Sequence, residues 1–172
     1  MSSSPVTPED RAVIARQLGR PPRALTGVAH RCPCGQPDVV ETSPRLEDGT
    51  PFPTLYYLTC PRASAAASRL ESAGLMKEWQ AELATDQELA AGYRAAHESY
   101  LAERDAKDVL PTRSTAGGMP DRVKCLHALA GHALAAGPGV NPIGDRAVAE
   151  MGEWWAAGPC AAPSPDDPAD VR

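Results

Sequence analysis

The chain has 172 residues and a formal net charge of −5. It is long enough to bury a core without disulfide staples and too acidic for broad electrostatic attraction to nucleic acid. No run of about 18 apolar residues occurs, so no membrane-spanning helix is expected, and the first ten residues lack the basic start and apolar stretch of a secretion signal. The expectation is a cytoplasmic protein, a setting in which clustered cysteines point to metal or redox chemistry rather than disulfides.

Residues 1–6 read as a flexible lead. A helix is expected to start at Thr7-Pro8-Glu9-Asp10: Thr7 can cap, Pro8 suits the first helical position, and acidic side chains favour the first turn. Val13, Ile14 and Leu18 give it a partial apolar face and Gly19 can end it. Arg20-Pro21-Pro22-Arg23 then forms a rigid connector.

Three strands are expected next, over residues 25–29, 38–42 and 54–59. The last is rich in β-branched and aromatic residues, and Glu47-Asp48-Gly49-Thr50 supplies a turn before it. From Pro61 the pattern turns helical. An Ala-rich stretch stops near Gly74; Leu75, Met76, Trp79 and Leu83 recur at helical spacing; and Asp86 can cap a helix carrying Leu89, Tyr93, Ala96, Tyr100 and Leu101.

A loop is expected over 105–119, a helix from Pro120 through Ala136, a break at Gly137-Pro138-Gly139, and a last helix from Asp145 to Trp155. Residues 158–172, rich in proline and aspartate, read as a disordered tail. The expected fold is α+β, a small antiparallel β-sheet near the N-terminus followed by a helical region, in one domain over residues 7–157. Residues 1–62 carry 7 basic and 6 acidic side chains, against 5 and 9 in residues 63–110. The acidic excess therefore falls on the helical middle, as a solvated face.

Chemistry concentrates in the cysteines. Cys32 and Cys34 form a Cys-Pro-Cys-Gly turn, Cys60 sits in Thr-Cys-Pro-Arg, and Cys125 in Val-Lys-Cys-Leu-His. In a turn the first two sulfurs can face one centre. Cys60 is placed to cap a helix opened by Pro61, where the helix dipole and Arg62 favour its thiolate. Four thiolates at element ends suit tetrahedral zinc or an iron–sulfur cluster, with Cys32, Cys34, Cys60 and Cys125 as the ligands. The competing reading is that some of them, Cys125 between Val123 and Leu126 above all, are simply packed in the core. Cys160 looks incidental.

Among the histidines, His30 could be a ligand or base beside Cys32. His127 adjoins Cys125, and His132 shares a helix face with Cys125 and could replace a cysteine as ligand, although packing explains it as well. His97 is expected to be exposed. Arg31, Arg62 and Lys124, if brought together, would bind an anion. That supports a second hypothesis, a thiol-dependent enzyme with Cys60 or Cys125 as nucleophile acting on an anionic substrate. A third is a non-catalytic interaction module docking through the acidic helices. The glycine-rich stretch Gly137–Asp145 lacks the Gly-x-x-x-x-Gly-Lys pattern of a nucleotide loop and reads as a helix–helix connection.

Four segments carry a family resemblance: Gly-Arg-Pro-Pro-Arg (19–23), Val-Ala-His-Arg-Cys-Pro-Cys-Gly (28–35), Pro-Thr-Leu-Tyr-Tyr-Leu-Thr-Cys-Pro (53–61) and Gly-Gly-Met-Pro-Asp-Arg-Val-Lys-Cys-Leu-His (117–127). Together they resemble the actinobacterial domain-of-unknown-function family 501, DUF501, over about residues 12–150. The resemblance implies a bacterial cytosolic protein without an assigned reaction. Members are often encoded near a septum-formation initiator and an exopolyphosphatase, which suggests a cell-division protein as partner by association alone.

Overall fold

The computed structural model describes residues 3–162. Helix α1 (Pro8–Leu18) begins as its sequence dictates: the Thr7 hydroxyl accepts from the Asp10 amide, the Asp10 carboxylate accepts from the Thr7 amide, and Pro8 opens the helix. Gly19 ends it in the left-handed conformation at φ 65°.

Strands β1 (Leu25–Arg31), β2 (Pro37–Thr42) and β3 (Tyr56–Leu58) form an antiparallel sheet in the order β1-β2-β3. Val28 pairs with Val40 across the first ladder, and Val39 with Leu58 across the second. All six residues of β2 are buried, so its polar side chains need partners. Asp38 has His30, and Glu41 accepts from Ser3, Thr26 and Lys107. Strand β3 is shorter than the expected 54–59 because a side chain competes for its first amide: Tyr100 accepts from the Leu55 N–H at 2.5 Å. The lead is not loose where it is described, since Ser4 makes an antiparallel bridge with Val28.

The helical part comprises α2 (Pro61–Ser72), α3 (Leu75–Thr85), α4 (Gln87–Asp105), α5 (Leu126–Ala136) and α6 (Pro142–Met151). Cys60 is the N-cap residue of α2 and Pro61 its first helical residue. Asp86 caps α4 through the Leu89 amide at 2.9 Å.

Helix α5 is the centre of the core. It touches β3, α2 and α6, and seven of its eleven residues are buried, the composition of a helix covered nearly all round. A Cβ on Gly131 would stand 3.3 Å from the Tyr56 carbonyl, so this glycine brings α5 close beneath β3.

Further sequence expectations are corrected. The helix read from Pro120 starts at Leu126, because the amides before it are used elsewhere: Arg122 N donates to Gly118 O, Lys124 N to Gly117 O, and Val123 N to the Gln80 side chain. The last helix runs over Pro142–Met151 rather than 145–155, since Asn141 accepts from the Gly144 amide and starts it early. His97 is buried, at 4% exposure. Residues 158–162, read as the start of the tail, lie against the core, with Ala161 buried; the rest of that expected tail lies outside the described residues.

Candidate functional site

The cysteines fall into three contacts. In the β1–β2 turn, Cys32 N donates to Gln36 O, Gly35 N donates to Cys32 O, and Gly35 takes φ 89°. The Cys32 and Cys34 side chains meet there; burial, helped by Cys34, pushes the Cys32 thiol up to about 12. At the β3–α2 junction the buried Cys60 meets Cys160, and burial pushes the Cys60 thiol up to about 11 despite the pull of the first α2 amides. Cys125 belongs to a third place, as the N-cap residue of α5.

The Cys125 site joins two helix ends. Glu71 comes from the last turn of α2, and Cys125 and His127 from the start of α5. His127 Nδ1 lies 3.1 Å from Glu71 Oε1 and 3.9 Å from Cys125 Sγ. Glu71 Oε1 also accepts from the Leu126 amide at 2.7 Å, so the carboxylate neutralises the positive end of α5 while facing the imidazole.

On the far side of the ring, Nε2 lies 3.1 Å from both Ser64 O and Ser68 Oγ. A backbone carbonyl only accepts, so Nε2 carries the proton toward Ser64 and Nδ1 is turned to Glu71 and Cys125. Burial raises the Cys125 thiol, but the His127 ring and the Ala128 amide outweigh it and leave the thiol below its ordinary value. His127 is lifted to about 9, by Cys125 first and, against burial, by Glu71.

Among the described residues, Glu71, Cys125 and His127 are the one set of three or more His, Cys, Asp or Glu whose ligand atoms all lie within 4.8 Å of one another. Cys32, Cys34, Cys60 and Cys125 do not converge within that distance. Cys125 instead sits at the α2–α5 contact, where Glu71 holds the neighbouring Leu126 amide and His127. Nothing in the spacing of the chain marks Glu71, which precedes His127 by 56 residues; only the packing of α2 on α5 brings it in.

The other candidates have local partners. His30 Nδ1 contacts the buried Asp38 at 2.7 Å. Arg31 makes a two-pronged ion pair with Asp10, 2.8 Å on each prong, which holds the Asp10 carboxyl below its usual value. Arg62 donates to Gly158 O at 2.5 Å. Lys124 is exposed beside the Cys125 site. Arg31 and Arg62 are thus committed to different places.

His132 is fully buried, stacked on Tyr56 at 6.0 Å and edge-on to Tyr100 at 5.2 Å. The Asn141 amide donates to its Nδ1 at 3.2 Å, and Nε2 has no hydrogen-bond partner among the described residues. Burial drops this imidazole to about 4, so it is neutral in the folded chain. An unfolded histidine takes its proton near pH 6.5. Stability from His132 is therefore complete above about pH 6.5 and is lost as pH falls toward 4, by up to about 3 kcal/mol. Urea midpoints measured between pH 7 and 4 should fall steeply for the wild type and less steeply for His132→Leu; equal slopes would remove the histidine from the account.

A family model described as "Protein of unknown function (DUF501)" matches residues 28–149. No curated protein and no solved structure matches the chain. The matched span contains the Cys32–Cys34 turn, the Cys60 junction and the whole Glu71–Cys125–His127 site, and it ends before the segment that carries Cys160. Among the described residues no helix is long and apolar enough to cross a membrane.

Proposed function

The chain belongs to the DUF501 family of proteins of unknown function, and we propose that it binds a divalent metal ion, zinc by its donor chemistry, through Glu71, Cys125 and His127. The observation that carries this reading is the clustering of three different ligand atoms within 4.8 Å. Neighbouring donors around tetrahedral zinc stand about 3.5 Å apart, given metal–ligand bonds of about 2.0–2.3 Å. The separations of 3.1 and 3.9 Å about His127 Nδ1 bracket that spacing.

The second support lies behind the ring. A ligating histidine normally donates its other N–H to a backbone carbonyl or carboxylate, which fixes its tautomer; Ser64 O occupies that place. One sulfur with a nitrogen and an oxygen is a zinc donor set, whereas iron–sulfur clusters draw on several thiolates. Three protein ligands leave a fourth position for water or substrate. The ion would also staple the α2 end to the α5 start, beside a loop with little regular structure. All five cysteines are free thiols, the state that a cytoplasmic location would maintain.

Equilibrium dialysis against zinc tests the reading. The wild type should bind one ion per chain, and Cys125→Ser should weaken binding more than about 100-fold, the upper end of what losing an outer partner of a ligand costs. Cobalt in place of zinc should show a thiolate charge-transfer band that Cys125→Ser abolishes. Equal zinc binding by the two proteins, or none by either, overturns the reading.

A second reading rests on the same side chains. Without an ion, the lowered Cys125 thiol and the Glu71 carboxylate both face Nδ1 of a protonated His127, so the imidazolium can stabilise a nucleophilic thiolate. A thiol-dependent enzyme acting on an anionic substrate would use this group, with Lys124 as the nearby cation. Rapid alkylation of Cys125 at neutral pH, slowed in His127→Ala and unaffected by chelators, would favour it over the metal reading.

A further inference from the structure

The segment over residues 152–162 crosses back over the sheet end of the molecule and is held there by side chains from three separate places. Gln36, in the β1–β2 turn, pairs with Ala161 as a backbone would: its Nε2 donates to Ala161 O at 2.6 Å, and its Oε1 accepts from Ala161 N at 3.0 Å. Gln17 of α1 donates to Pro37 O at 2.7 Å and to Cys160 Sγ at 3.2 Å. Arg62 of α2 grips Gly158 O. Cys160 in turn donates to Gln36 Oε1 at 3.3 Å.

The outcome of this bracing is a specific thiol contact. Cys160 is half-buried and packs against the core cluster that contains Cys60, itself 1% exposed. Arg62, two residues into α2 from Cys60, holds Gly158 O, two residues before Cys160, which brings the two thiols together at the head of α2. Tertiary structure has thus joined the cysteine that the sequence made incidental to the one at the head of α2.

We propose that Cys60 and Cys160 form an oxidant-responsive dithiol whose disulfide latches the 152–162 segment onto the body of the fold. The oxidant is a low-molecular-weight disulfide. Cys160, the more accessible thiol, loses its proton to solvent and attacks one sulfur of that disulfide. The small S–S bond breaks, a mixed disulfide forms, and one small thiolate leaves. Cys60 then loses its proton and attacks Cys160 Sγ, forming the Cys60–Cys160 bond and expelling the second small thiol. Two protein thiols are oxidised by two electrons and the small disulfide is reduced to two thiols. The buried Cys60 exchanges only with a sulfur presented by the docked segment, which makes the reaction specific. A reducing thiol pool reverses it.

Incubation of the full-length protein with glutathione disulfide, followed by iodoacetamide and non-reducing peptide mass spectrometry, tests the proposal. The expected product is a Cys60–Cys160 cross-linked peptide, with Cys32, Cys34 and Cys125 alkylated. The closed loop is long, so oxidation should raise the Tm by about 10 °C, and Cys160→Ser should lose both the cross-link and the shift while keeping the reduced protein's circular dichroism. A Cys32–Cys34 bond, a mixed disulfide that stops at Cys160, or alkylation of all five thiols overturns the proposal. So does a bound zinc ion that shields Cys60 and Cys160 from alkylation. Because Cys125 is a spectator here, zinc binding at Glu71, Cys125 and His127 stands or falls separately.

Discussion

Arg104→Met should lower the unfolding free energy by about 3–5 kcal/mol, because it removes three hydrogen bonds to a charged group, each contributing about 1.5–3 kcal/mol and less where the partner reaches solvent. The guanidinium is completely buried at the end of α4. Its Nε donates to Asp105 at 3.0 Å, Nη1 to Ser114 O at 3.1 Å, and Nη2 to Thr112 O at 2.6 Å. Methionine keeps the apolar stem and removes every donor. Two loop carbonyls, at the half-buried Thr112 and the exposed Ser114, and a half-buried carboxylate then lose their partner, and a hydrogen bond left unmade away from water costs more than a made one contributes. The effect should spread along the loop after α4, since Arg104 is the buried tie of 112–114 to the helix, beside the exposed Arg113–Glu98 pair. Urea denaturation at neutral pH measures it; a loss below about 1 kcal/mol would mean that other contacts hold the loop.

Gly144→Ala is the second substitution expected to be severe, at roughly 3 kcal/mol or more, the upper range for overpacking a core. A Cβ there would lie 2.3 Å from the Leu129 carbonyl, 2.8 Å from Ala133 Cβ and 3.0 Å from Asn141 Cγ. The first obstacle is backbone of α5 and cannot rotate away. Relief requires α6 to withdraw from α5, and with it the Asn141 cap, whose oxygen binds the Gly144 amide and whose amide binds His132. The contrast is Gly117, where a Cβ would first meet Leu129 Cδ2 at 2.5 Å, the tip of a side chain that can turn. Thermal unfolding of Gly144→Ala provides the check, and a Tm within a degree or two of the wild type would show that the helices separate freely.

Local signals were legible wherever a residue acts on its own neighbourhood. The Thr7 and Asp86 caps each satisfy an amide three residues on, Pro61 opens α2 directly after Cys60, and each appears where the sequence puts it. The same logic failed at Pro120. That proline could begin a helix, but the following amides found Gly117, Gly118 and Gln80, so the helix waits until Leu126. His97 reads as a surface residue on an acidic helix, yet the side of α4 that carries it is covered.

Residue types and short spacings were sufficient for the α+β class, the strand regions, most helix starts, and the recognition that cysteine and histidine carry the chemistry. They were also enough to bring out the DUF501 motifs. Which side chains meet was decided by the docking of α2 on α5 and of the 152–162 segment on the sheet end. Glu71 joins Cys125 and His127, Cys160 joins Cys60, and Arg31 is taken up by Asp10. The physical reason is range. Caps and turns are satisfied within a few residues, whereas a three-ligand cluster or a thiol pair depends on elements tens of residues apart burying their apolar faces against one another.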